Sequence, residues 1–134
     1  MLSLQDACIL RSNELTKILA GCIAVNPLKV LPMVEKLRPD SLTDNVAKEF
    51  ILTMKDRLSE LQQVDYDHQG ITFVEWATDH HCLFDYALWI TEVKDSILDA
   101  ENAIRELKKL AIALNTVGEL QDWIQAREAY IRGG

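Results

Sequence analysis

The sequence predicts an all-α fold, an orthogonal bundle of about five short helices followed by a long C-terminal amphipathic helix or helical hairpin. Three observations carry this expectation. Apolar residues recur at intervals of three and four through most of the chain, the period of a helix with one buried face. Leu and Ala are the commonest residues, and aromatic residues make up only 7%, a composition that favours helix over strand. No β-hairpin signal, internal repeat or low-complexity tract interrupts the pattern.

Taken in order, residues 2–10 are apolar enough for a short helix or an arm on the core. Ser12 or Asn13 then offers a side-chain oxygen to the free amides of a new helix. In that helix Leu15, Ile18, Leu19, Cys22 and Ile23 share one face. Asn26-Pro27 stops it, because a residue before proline avoids the α region. Val30, Leu31, Val34 and Leu37 line a second short helix, which begins near Pro32 or is irregular there, since Pro32 has no amide proton. After a turn at residues 38–41, Ser41 or Thr43 caps a third helix that buries Val46, Phe50, Ile51, Met54, Leu58 and Leu61. Residues 62–71 read as a polar loop, and Thr72 with Glu75 forms a capping box for a short fourth helix, residues 73–80. A fifth helix over residues 83–93 is expected to bury Leu83 or Phe84, with Ala87, Leu88 and Ile90.

The last element differs from these. Ile97, Ala100, Ile104, Leu107, Ala111 and Leu114 alternate spacings of three and four, a heptad seam suited to a partner helix. The pattern continues through Val117, Leu120, Ile124 and Ile131, and Arg132-Gly133-Gly134 ends it. Gly118 either weakens this helix by about 1 kcal/mol relative to alanine or marks a hairpin turn. The resulting organisation is one domain over residues 1–134, with a globular part at about 13–94 and the long helix at about 96–131.

Size and charge bound the function. A chain of 134 residues and 15.2 kDa would expose roughly 7,100 Å² when folded compactly, against about 22,000 Å² unfolded, so it can bury a core without staples. The formal charge of −7 argues against a surface that binds nucleic acid by neutralising phosphates, and little direct nucleic-acid binding is expected. Arg105, Lys108 and Lys109 form the densest basic cluster, but Asp99, Glu101 and Glu106 sit among them, the pattern of a solvated helix face. Residues 1–10 lack a basic start and carry Asp6, and no window is apolar enough to cross a membrane. Three cysteines at no recognisable spacing are expected to be reduced thiols in a cytoplasmic protein.

The sequence offers little chemistry. A nucleotide motor needs a glycine-rich phosphate loop with a lysine, and none of Gly21, Gly70, Gly118, Gly133 or Gly134 precedes Lys with Ser or Thr. Asp79-His80-His81-Cys82 is the one cluster with metal-ligand character. Adjacent helical residues diverge by about 100°, whereas zinc ligands are normally spaced further apart, so histidines at a helix C-terminus are the plainer reading. No enzymatic activity, metal or cofactor is expected. Trp76 and Trp89 are expected in the core and Trp123 at the surface, where tryptophan is enriched at binding hot spots.

The helix order carries a resemblance. LAGCIAVNPLKVLPMVEKL followed by RPDSLTDNVAKEFILTMKDRLSEL, then GITFVEWATD, FDYALWITEV and AIRELKKLAIALNTVGEL is similar to the N-terminal domain of DnaB-type replicative hexameric helicases. FDYALWITEV matches that family's YLAELA element, and the last helix matches its IVREKALLRELIEAANEI. The resemblance spans about residues 13 to 128 and lies in helical patterns rather than single residues. It departs from the family in a short linker at residues 94–98 and in lacking the second hairpin helix through which members dimerise. The resemblance implies a DNA-replication-associated docking and oligomerisation domain, binding primase, helicase loader or helicase protomers, with no helicase activity of its own. A homodimer or higher homo-oligomer is the expected assembly. The resemblance transfers no individual contact residues, so only a face is named, the seam of Ile104, Leu107, Ala111, Leu114 and Val117, with Trp123 beyond it. The same seam could equally pack on the chain's own first five helices. An alternative is an unrelated helical adaptor or phage regulatory protein that homodimerises through its long last helix.

Overall fold

The structure, a computed structural model, describes residues 3–133. Leu2, Gly134 and the side chain of Ile131, all used in the sequence reading, lie outside what is described. Seven α-helices and one 3₁₀ turn follow one another, with no strand among the described residues: α1 Leu4–Val25, α2 Pro27–Val34, the 3₁₀ turn Pro39–Ser41, α3 Asn45–Asp56, α4 Leu58–Leu61, α5 Tyr66–Asp79, α6 Leu83–Thr91 and α7 Ser96–Gly133. Among the described residues, no helix is long and apolar enough to cross a membrane.

The fold is built around α1 and α7. The Arg11 guanidinium bridges both Glu106 oxygens at 2.8 and 3.0 Å, and Asn26 reaches Ser96 at 3.4 Å. The two helices therefore run antiparallel. Leu15, Leu19, Cys22 and Ile23 of α1 and Ala100, Ala103, Ile104 and Leu107 of α7 are buried in one apolar core with α2, α3, α5 and α6. This corrects two expectations. The first helix is a single 22-residue element capped by Ser3, whose hydroxyl accepts from the Asp6 amide; Ser12 and Asn13 lie inside it. Moreover, the first turns of α7 belong to the globular core.

Several element boundaries also moved, each for a local reason. Asp44, not Ser41 or Thr43, caps α3, accepting from the Ala47 amide at 3.0 Å. Thr43 is occupied elsewhere, its hydroxyl donating to Asn13 at 2.6 Å. The third helix breaks at Arg57, whose amide bonds back to both Thr53 and Met54, and α4 restarts for one turn. Residues 66–71 are helix rather than loop, because Asp65 caps α5 by accepting from the His68 amide at 2.9 Å. Thr72 consequently sits mid-helix, its hydroxyl donating to the His68 carbonyl. Pro32 is accommodated inside α2, which starts with Pro27 at its first position.

Phe50 is the hub of the core. Its ring meets Phe73, Trp76, Tyr86 and Trp89 at centroid distances of 5.7, 5.1, 6.0 and 5.6 Å, a set of aromatic contacts each worth about 0.5–1.5 kcal/mol beyond area burial. These contacts fix the phase of α6. It buries Tyr86 and Trp89, leaving Leu83, Phe84, Ala87 and Leu88 exposed, in contrast to the expected face. Val46 is exposed for the same kind of reason, Ala47 being the inward residue. Gly21 lets α1 and α6 touch: a Cβ there would lie 2.2 Å from the Trp89 carbonyl oxygen.

Candidate protein-interaction surface

The start of α7 is held by two aspartates. Asp95 Oδ1 accepts from the Ile97 and Leu98 amides, and Asp99 Oδ2 accepts from the amides of Lys94 and Asp95. Two amides of the first turn are thereby paired, as a helix start requires, and so are the two amides that lead into it. From there α7 is continuous past Gly118, which lies mid-helix with no atom within 4 Å of a notional Cβ. The hairpin alternative is excluded.

With Arg11 opposite Glu106, α1 runs out about level with Ala113, at 1.5 Å per residue in both helices. From Leu114 onward, α7 continues for about 30 Å without α1 beside it. The accessible surface of the whole chain is larger than that of a compact monomer. It is 8680 Å², about a fifth above the roughly 7,100 Å² of a compact monomer of this mass.

The predicted interaction face is divided by this geometry. Ile104 and Leu107 are buried, 8% and 0% exposed, in the chain's own core, so they are not available to a partner. Ala111, Leu114 and Val117 are half-buried, and Trp123 is 59% exposed. Leu120 and Ile124, also exposed, continue Leu114 and Val117 at spacings of three and four. Arg127 lies over the Trp123 ring, 5.3 Å from its centroid. The available stripe is thus the distal part of the seam, beginning near Ala111. At the same end of the pair, where α1 starts, Leu4, Ile9 and Leu10 are exposed as well. The sequence period locates the seam but cannot say where α1 stops covering it.

The chain matches no protein-family model, and no curated protein or solved structure is significantly similar to it. The surface is therefore read from its own geometry.

Two concavities lie elsewhere. An apolar cavity of about 600 Å³ is bounded by the end of α1, α5 and α6, with Tyr66, Ile71, Val74 and Tyr86 along it. Burial, and secondarily the neighbouring Tyr66, pushes the Tyr86 phenol up to about 12. The sequence reading missed this wall because it placed residues 62–71 in a loop; Asp65, with Asp67 in the first turn, was the helix-start signal available. A second groove of about 550 Å³ lies between α7 and the end of α2. The cluster at residues 79–82 is organised around the core. The His80 ring stacks on Trp76 at 4.1 Å, Nδ1 donates to the Trp76 carbonyl at 2.8 Å, and Nε2 lies 3.4 Å from Glu49. Cys82 is buried, and His81 has a positive φ of 55°.

Proposed function

We propose that this chain is a docking and self-association module without catalytic activity, and that a second copy packs along the distal half of α7. The observation that carries this reading is the projecting stripe of Leu114, Val117, Leu120, Trp123 and Ile124, half-buried or exposed on a helix that has outrun its partner. Antiparallel or parallel pairing of two such helices would bury a seam of heptad type.

The sequence resemblance supplies the class of heterologous partner. Similarity to the DnaB-type helicase N-terminal domain suggests a replication protein, namely primase, a helicase loader or helicase protomers, docked on the assembled module. Absolute mass in solution by light scattering, with and without a primase C-terminal domain, tests both levels. The wild-type chain is expected to be a dimer, and Leu120→Asp with Trp123→Asp a folded monomer. A wild-type monomer at high micromolar concentration sinks the self-association reading. A dimer that retains neither primase, loader nor helicase leaves the module standing as a helical adaptor and removes its replication role.

A further inference from the structure

Arg105, Lys108 and Lys109 sit among Asp99, Glu101 and Glu106 along the chain, and folding engages two of the three carboxylates, Asp99 and Glu106, with other partners. Glu106 is drawn to Arg11, a bond that also holds its carboxyl below the usual range. Asp99 is turned to the backbone amides of Lys94 and Asp95. Lys36, at the end of α2, joins the three cations across the groove, and Glu101 is the one carboxylate in its lining. Lys109 also contributes to the field at Glu106. The cations that pair with carboxylates among the described residues are Arg11, Lys17 and Arg57, with His68 and His80; the four groove cations are outside those pairs. Beneath them, Met33 and Ile104 form an apolar floor.

We infer that this groove of about 550 Å³ docks an acidic, apolar-anchored peptide segment of a partner protein, on a surface separate from the distal α7 stripe. Carboxylates of the segment face Lys36, Arg105, Lys108 and Lys109, while an apolar side chain lies on the half-buried Met33. Charge complementarity selects the occupant: a cationic groove on a chain of net charge −7 attracts a short acidic segment locally. A nucleic acid strand, by contrast, would carry its phosphates beyond the groove onto an acidic surface. Its backbone would also leave the apolar floor unmatched.

Fluorescence anisotropy tests this with a fluorescein-labelled peptide of Glu, Asp and Leu, its Gln, Asn and Leu counterpart, and a labelled single-stranded oligonucleotide. The acidic peptide is expected to bind the full-length chain and the amide peptide not to bind. The double variant Lys36→Glu, Lys108→Glu should bind the acidic peptide about tenfold more weakly, with circular dichroism unchanged because both positions are exposed. Trp123→Asp should bind it as the wild type does, whatever its oligomeric state. Equal binding of the amide peptide, undiminished binding by the double variant, or tighter binding of the oligonucleotide would overturn the inference.

Discussion

Asp65 shows how one residue sets an element. Its carboxylate accepts from the His68 amide and lies 2.6 Å from His68 Nδ1. The amide and imidazole bonds to His68 hold the Asp65 carboxyl below its ordinary range, and the Asp65 bond raises the His68 imidazole. The lowered carboxyl contributes above the unfolded aspartate value, and that contribution is lost as pH falls through the folded value. The raised imidazole contributes below the unfolded histidine value, and that contribution is lost as pH rises through the folded value. The cap is therefore strongest between about pH 4 and 6.5. In Asp65→Asn, the NMR titration of His68 should move down toward ordinary histidine. An unchanged midpoint would show that the pair does not form in solution. Both side chains are well exposed, so the effect belongs to the first turn of α5 and leaves global stability little altered.

Two glycines make opposite demands on their helices. At Gly21 the backbone of α6 is so close that a methyl group would meet the Trp89 carbonyl. Gly21→Ala is expected to destabilise the fold by about 1–3 kcal/mol or more by overpacking, read as a lower urea midpoint. At Gly118 nothing lies within 4 Å. Gly118→Ala should raise helix content by circular dichroism, stabilising α7 locally by about 0.5–1 kcal/mol. Matching effects of the two substitutions would contradict the packing of α1 on α6. Intrinsic propensity treats these positions alike; only the neighbouring element distinguishes them.

The whole molecule controls which cysteines react. Cys22 is fully buried on α1, and burial, with Asp99 and Asp95 nearby, pushes its thiol up to about 12. Cys82 is buried and its thiol is raised for the same first reason. Cys8 is half-buried near the start of α1. A thiol-disulfide reagent should therefore label the native chain at Cys8 alone, since reactivity follows thiolate content and access. Cys8→Ser should abolish that labelling, and all three thiols should react in denaturant. Rapid native labelling of Cys22 would mean that α7 undocks from α1, contrary to the core described above.

By itself, the sequence determined that the chain is all-α, that Phe50, Trp76 and Trp89 are inside and Trp123 outside, and that one long apolar seam closes the chain. These follow from period and composition, which each residue carries wherever it sits. The caps were harder to read, since Ser12, Ser41, Thr43 and Thr72 are all chemically suitable and only competing contacts decide among them. Tertiary structure alone decided the face of α6, which the aromatic cluster around Phe50 turns inward. It also decided where α1 ceases to cover α7, and hence which part of the seam is exposed. Finally, it split a mixed-charge helix face into an Arg11–Glu106 bridge, an Asp99 cap and a cationic groove. Each outcome depends on distances between residues remote in the chain, and local patterning carries no record of those distances.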